Sequence, residues 1–193
     1  MYKIAIGAVV FLALLASCTS FPTPQSDTDS LVVANLVLDF PDGFFDRGPR
    51  TLERNVRVRF ENTANGQIGT MRTSDGYVSF LARDGGEYRL VGYEYEETVA
   101  DVTYSGSLDL DIPFSVKQGT VTYLGDINVV YGLPERSGQQ SRGSRSTRFY
   151  EFEISVSVVN NTAGVEDYLA AEDVESAWSG YRIISFTPDE PAQ

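Results

Sequence analysis

Apolar residues fall on every second position over most of this chain, and that period of two predicts strands. Ser30–Phe40 (SLVVANLVLDF) is β-rich and is bounded by Asp29 and the turn Pro41-Asp42-Gly43. Val56, Val58 and Phe60 then alternate with Arg57, Arg59 and Glu61, and Asn62–Gly66 supplies a tight turn. A weaker strand carries Ile68 and Met71. Asp75-Gly76 turns into Tyr77, Val78, Phe80 and Leu81, and Asp84-Gly85-Gly86 leads into Tyr88, Leu90, Gly92, Tyr93 and Tyr95. In Ser107–Val116, Leu108, Leu110 and Ile112 take one face, with Asp109 and Asp111 on the other. Lys117-Gln118-Gly119 turns into Thr120–Tyr131, the most strongly β stretch and the predicted central strand. Arg148–Val159 alternates again. From Val165 to Trp178 the spacing of apolar residues changes to three to five. That predicts one helix of about three turns, capped by Asp167, stopped at Gly180 and burying Trp178. Arg182–Phe186 is a last short strand.

This succession predicts a mostly β protein: a single antiparallel β-sandwich over 30–187 with one short C-terminal helix, followed by a polar tail, 188–193. Phe44 and Phe45 are placed to plug one end of the sandwich. The run Val56-Arg57-Val58, Thr73, Asp75-Gly76, Phe80, Gly86 and Tyr88 resembles the carboxypeptidase-regulatory-like and transthyretin-like sandwich modules, with Gly76 and Gly86 suited to positive φ in the turns. The resemblance covers about 45 residues. It implies a structural or binding appendage without catalytic residues.

The first residues have a different pattern. Lys3 is followed by an apolar run of 12 residues, Ile4–Leu15, well short of the ~20 that a permanent membrane span needs. Its length fits the core of a secretory signal. It ends in Leu15-Ala16-Ser17-Cys18, which resembles the lipobox of bacterial lipoproteins. The resemblance implies removal of residues 1–17, acylation of Cys18 and anchoring in a cell-envelope membrane. Thr19 rather than Asp after the cysteine points to the outer membrane. Several acyl chains give stable anchoring, because each buried CH₂ contributes about 0.8 kcal/mol. Residues 18–29, rich in Pro, Ser and Thr, are expected to form a flexible tether. A later phrase, Val116…Gly119…Tyr123-Leu124-Gly125…Ile127, is similar to one that recurs in small envelope lipoproteins.

Composition narrows the chemistry. Cys18 is the only cysteine, so internal disulfides, Cys-based zinc sites and Cys nucleophiles are excluded. There is no histidine, which removes the commonest general base and metal ligand. Lys117 is the sole lysine after the leader, and it lies beside a turn glycine. No phosphate loop, dinucleotide fingerprint or nucleophile elbow is present. The expectation is therefore a protein without enzymatic activity or cofactor. The net charge is −12, one unit more negative once the leader takes Lys3 with it, so nucleic acid is not an expected partner.

Glu94, Glu96, Glu97 and Asp101 are expected to form an acidic, solvated strand edge, and Asp109 with Asp111 a solvated strand face. Pro134–Thr147 is the one low-complexity stretch. It is expected to be a mobile loop whose Arg136, Arg142 and Arg145, with Arg148 just after, could contact a polyanion. Tyr93, Tyr95, Tyr104 and Tyr123 are the residues that would line a cavity between the sheets. The leading functional expectation is a binding module for another envelope protein or glycan. The alternatives are a structural subunit that docks by an exposed strand edge, or a carrier of a small apolar ligand.

Overall fold

The computed structural model describes residues 21–45, 50–83, 85–142, 145–172, 175–178 and 180–186. The leader, Cys18, Asp84 of the expected turn and the 188–193 tail lie outside them. In chain order the elements are β1 (Ser30–Phe40), β2 (Arg50–Leu52), β3 (Val56–Asn62), β4 (Gln67–Arg72), β5 (Tyr77–Ala82), β6 (Gly86–Val99), β7 (Val102–Val116), β8 (Thr120–Tyr131), β9 (Glu135–Arg142), β10 (Arg145–Glu151), β11 (Ile154–Val159), α1 (Thr162–Ala171), α2 (Glu175–Trp178) and β12 (Arg182–Ser185). The protein is the expected β-sandwich, and β1 and β8 have the boundaries that the alternation predicts.

One sheet is an antiparallel ladder in the order β4-β3-β6-β7. The other is built on β1 and β8, which lie side by side in parallel. The far side of β1 takes β5 along Ser30–Asn35 and β2 along Leu38–Phe40. The far side of β8 takes β12, also parallel, along Thr120–Tyr123 and β11 along Asp126–Tyr131. Val32, Leu36, Leu38, Phe40, Leu124, Ile127 and Val129 of this sheet meet Val56, Val58, Phe60, Leu90, Tyr93 and Tyr95 of the ladder in the main core.

A bulge in β8 between Tyr123 and Asp126, opposite Val33–Asn35 of β1, lets β8 serve two cores. Before it, Val121 and Tyr123 face outward and join Leu31, Val33, Val165, Leu169 and Trp178 in a second cluster under the helices. After it, Ile127, Val129 and Tyr131 face the sandwich. Leu124 and Ile127 both point into the main core although three positions separate them, and Gly125, at φ +94°, absorbs the extra residue.

Several expectations need correction. The acidic strand is no edge: β6 lies between β3 and β7, and Glu94 and Glu97 pair with Arg57 and Arg50. Asp109 and Asp111, by contrast, are exposed as expected, and they pair with Arg59 and Arg89 across the ladder. The 134–147 stretch is no loop. Its poor β-formers pair with one another as the β9–β10 hairpin, a two-stranded ribbon that joins neither large sheet. The run Arg148–Val159 is split, because the chain changes partner at Phe152-Glu153, from β9 to β8. The helix starts at Thr162, earlier than expected, and is capped by Asn161 instead of Asp167. The Asn161 side chain accepts the Gly164 N–H at 3.2 Å, and a separate short helix carries Trp178.

The segment read as a tether is held from Phe21 onward. Trp178 Nε1 donates to the Pro22 carbonyl at 2.9 Å, and the Phe21 ring lies 5.9 Å from that of Tyr168. Asp29 is buried and accepts the Gln25 and Ser26 N–H groups at 2.7 and 3.1 Å; the Gln25 bond is the main reason its carboxyl titrates below the ordinary value.

Candidate functional site

At the Phe40 end of β1 the core is almost entirely aromatic. Phe40 stacks on Tyr131 at 4.2 Å and meets Phe45 edge-on at 5.0 Å. Phe44, after the Pro41–Gly43 turn, touches Phe40, Phe45, Tyr104 and Phe152 at centroid distances of 4.8 to 5.4 Å. These stacked and edge-to-face contacts are the favourable geometries for ring quadrupoles. Beneath them the hydroxyls of Tyr93 and Tyr131 bond at 2.6 Å. Burial raises the Tyr93, Tyr95 and Tyr131 phenols above their ordinary titration, so this end holds neutral hydroxyls and no phenolate at physiological pH. The two phenylalanines plug the sandwich end as expected: Phe45 is fully buried and Phe44 nearly so.

A cleft of about 490 Å³ opens onto this plug. One wall is the start of β7, just after the tight turn at Ala100 and Asp101, both at positive φ. The other wall is β10. Phe44, Tyr95, Tyr104, Phe149, Tyr150 and Phe152 supply the aromatic surface. Phe149 and Tyr150 remain 48% and 36% exposed, so ring surface is open to solvent. Thr103, Ser105, Ser146 and Thr147 add hydroxyl groups at the rim. Arg148 is the one charged residue of the described lining, and among the described residues it makes no ion pair.

The register of the hairpin settles what the arginines can do together. Arg142 is directly opposite Arg145 and Arg136 opposes Tyr150, whereas Arg148 opposes Gln139, a position of the other parity from Arg142. Arg142 and Arg148 therefore take opposite faces of the ribbon. Arg136 bonds to Gln139. Only Arg148 borders the cleft. Of the four tyrosines singled out for a cavity, Tyr95 and Tyr104 border it, while Tyr93 and Tyr123 are fully buried. Tyr123 donates to Asp126, which also accepts Asn35 at 3.1 Å and Asn161 at 2.9 Å, so that group fastens the helix to the sheet.

Sequence reasoning missed Phe149 and Tyr150 as cleft walls. The signal was their adjacency, because an alternating strand with one buried face can bury only one of two consecutive rings. A larger recess, about 820 Å³, lies on the solvent face of the ladder around Arg57, Arg72, Glu94 and Glu96. It is polar and open, and Arg57 and Glu94 already pair at 3.1 Å, so it lacks the apolar wall that anchors a small ligand. Among the described residues no three His, Cys, Asp or Glu are grouped to hold a metal, and no helix is long and apolar enough to cross a membrane. No family model matches the chain, and no curated protein or solved structure does either.

Proposed function

We propose that this is a non-catalytic, lipid-anchored lipoprotein of the cell envelope whose sandwich carries a binding site away from its anchor. The observation that carries the binding part is the open aromatic cleft at the Phe40 end of β1. The anchoring part rests on Leu15-Ala16-Ser17-Cys18. The two fit together in space. The chain comes into the fold beneath the helices, where Phe21 and Pro22 meet Tyr168 and Trp178. Cys18 to Phe21 is three residue steps, at most about 11 Å of chain. An acylated Cys18 thus keeps the helical side near the bilayer. β1 then runs about 33 Å to the aromatic end, at ~3.3 Å per residue.

A second reading, a subunit docking by a strand edge, is favoured by β11. This edge strand leaves Ile154 37% and Val156 41% exposed, although both take the parity that points into the sandwich.

Labelling cells with an alkyne fatty acid tests the anchor: the wild-type protein takes the label, and Cys18→Ala abolishes both labelling and membrane sedimentation. An unlabelled wild-type protein would end the lipoprotein reading. Affinity capture of the lipidated protein from gently solubilised envelope separates the two remaining roles. A stoichiometric protein partner lost on charging the β11 edge (Val156→Lys) supports the subunit reading.

A further inference from the structure

We propose that the cleft takes a small ligand with one flat apolar ring face and a single negative charge, a carboxylate, sulfate or phosphate, that pairs with Arg148. The inference rests on the binding-module reading and specifies its ligand. Three features of the cleft converge on this chemistry.

The first is ring surface. Phe149 and Tyr150 are partly exposed and line the cleft, and Tyr150 meets Phe44, which packs edge-on against Phe152 in the plug. A flat ligand face entering here completes an aromatic cluster whose ring contacts are already stacked or edge-to-face.

The second is charge. On a chain of net charge −12, the described lining includes no carboxylate and one guanidinium, Arg148, without an ion-pair partner among the described residues. A planar guanidinium beside hydroxyls suits a planar or tetrahedral oxyanion. The surplus of negative charge elsewhere repels a polyanion, while a single charge can pair locally with Arg148. The placing of Arg142 and Arg148 on opposite faces points the same way, since a polyanion needs its arginines convergent.

The third is size. About 490 Å³ lies within the ~300–1,000 Å³ of small-molecule sites, and the cleft is bounded on two sides by hairpins.

The test uses two probes that differ only in charge, 2-naphthalenesulfonate and the neutral 2-naphthalenesulfonamide. They are titrated calorimetrically into the full chain in nanodiscs, with empty nanodiscs as reference. The sulfonate is expected to bind one to one, about tenfold more tightly than the sulfonamide, as one charge-assisted hydrogen bond supplies. Arg148→Met should erase that difference and leave sulfonamide binding unchanged, and Arg148→Lys should restore part of it. Phe149→Ser should weaken both probes together. Arg148 and Phe149 are exposed, so a retained near-ultraviolet dichroism spectrum certifies each variant as folded. Equal affinity for the two probes, no binding of either, or an unchanged ratio in Arg148→Met overturns the proposal. If neither probe binds while envelope capture still recovers a partner, the ligand class falls and the binding-module reading stands.

Discussion

The Tyr93–Tyr131 hydroxyl pair offers a sharp check on the core beneath the cleft. The two oxygens lie 2.6 Å apart, with Tyr93 0% and Tyr131 5% exposed. Replacing either residue by Phe keeps the ring and strands the remaining hydroxyl. An unsatisfied buried polar group costs about 1–3 kcal/mol, whereas removing both partners is close to neutral. The exposures order the two single variants. In Tyr93→Phe the orphan is Tyr131, which keeps some access to water, so the cost should sit near the lower limit, about 1 kcal/mol. In Tyr131→Phe the orphan is the fully enclosed Tyr93, and the cost should approach about 2–3 kcal/mol. The double variant should lie within about 1 kcal/mol of wild type, a coupling of about 2 kcal/mol or more. Urea unfolding followed by tyrosine fluorescence and far-ultraviolet dichroism measures all four corners of the cycle. At this size each kcal/mol also lowers Tm by about 2–4 °C. Additive costs, or a double variant weaker than either single one, would refute the claim that these hydroxyls satisfy each other.

Two further outcomes follow from the buried phenols and from the β8 bulge. Burial raises the phenols of Tyr93, Tyr95 and Tyr123 above the ordinary 10.0, so the folded state holds their protons more tightly than the unfolded chain. Their contribution is complete below pH 10 and is lost above it, at about 1.4 kcal/mol per pH unit for each tyrosine, so urea midpoints should be flat from pH 7 to 9 and fall steeply beyond 10. A midpoint that holds to pH 11.5 contradicts the burial of these phenols. Gly125→Ala should destabilise by about 2 kcal/mol or more in the same urea assay, because φ is +94° and a Cβ would stand 2.8 Å from the Val159 carbonyl oxygen. A wild-type midpoint in this variant would show that the β8 bulge relaxes without cost.

The strands were legible where each alternating run faces one core. β3 and β5 each bury one face, as do the second halves of β1 and β8, and period two reports that burial directly. What escaped was partnership. Nothing local says that β8 runs parallel to β1, because parallel neighbours meet only through a long connection. The Arg148–Val159 alternation looked like one strand because both halves alternate, yet the backbone partner changes between them. The β9–β10 hairpin was hidden by its Ser, Gly and Gln, whose weak β propensity is offset by pairing with each other. Residues 21–29 read as a linker on their Pro, Ser and Thr content. The groups that hold them, Trp178 and Tyr168, come from the far end of the chain, beyond any local window. The cleft joined two features that were legible only separately, the Phe44-Phe45 plug and Arg148.

The two halves of β1 make different demands on its neighbours, and this organises the molecule. Along Ser30–Asn35 the sheet is covered on both faces, by the ladder and by the helices, so Leu31, Val32, Val33 and Ala34 are all buried in succession. Along Leu36–Phe40 only one face is covered, and Val37 and Asp39 are partly exposed. Bulky rings at the end of that half close the sandwich where no helix does. Plugging an open end with rings leaves ring faces at the surface unless another element covers them. The β9–β10 hairpin covers them incompletely, because it pairs with neither large sheet and meets the plug through Tyr150 and the adjoining Phe152. Such an element opens at lower free energy than β8, which is paired on both sides. A ligand bound as proposed between β10 and the plug would add contacts to the least secured part of the fold, while the helical side stays fixed by Trp178 and Asp29. The proposed ligand and the proposed lipid anchor would then act on opposite ends of β1 and need not disturb one another.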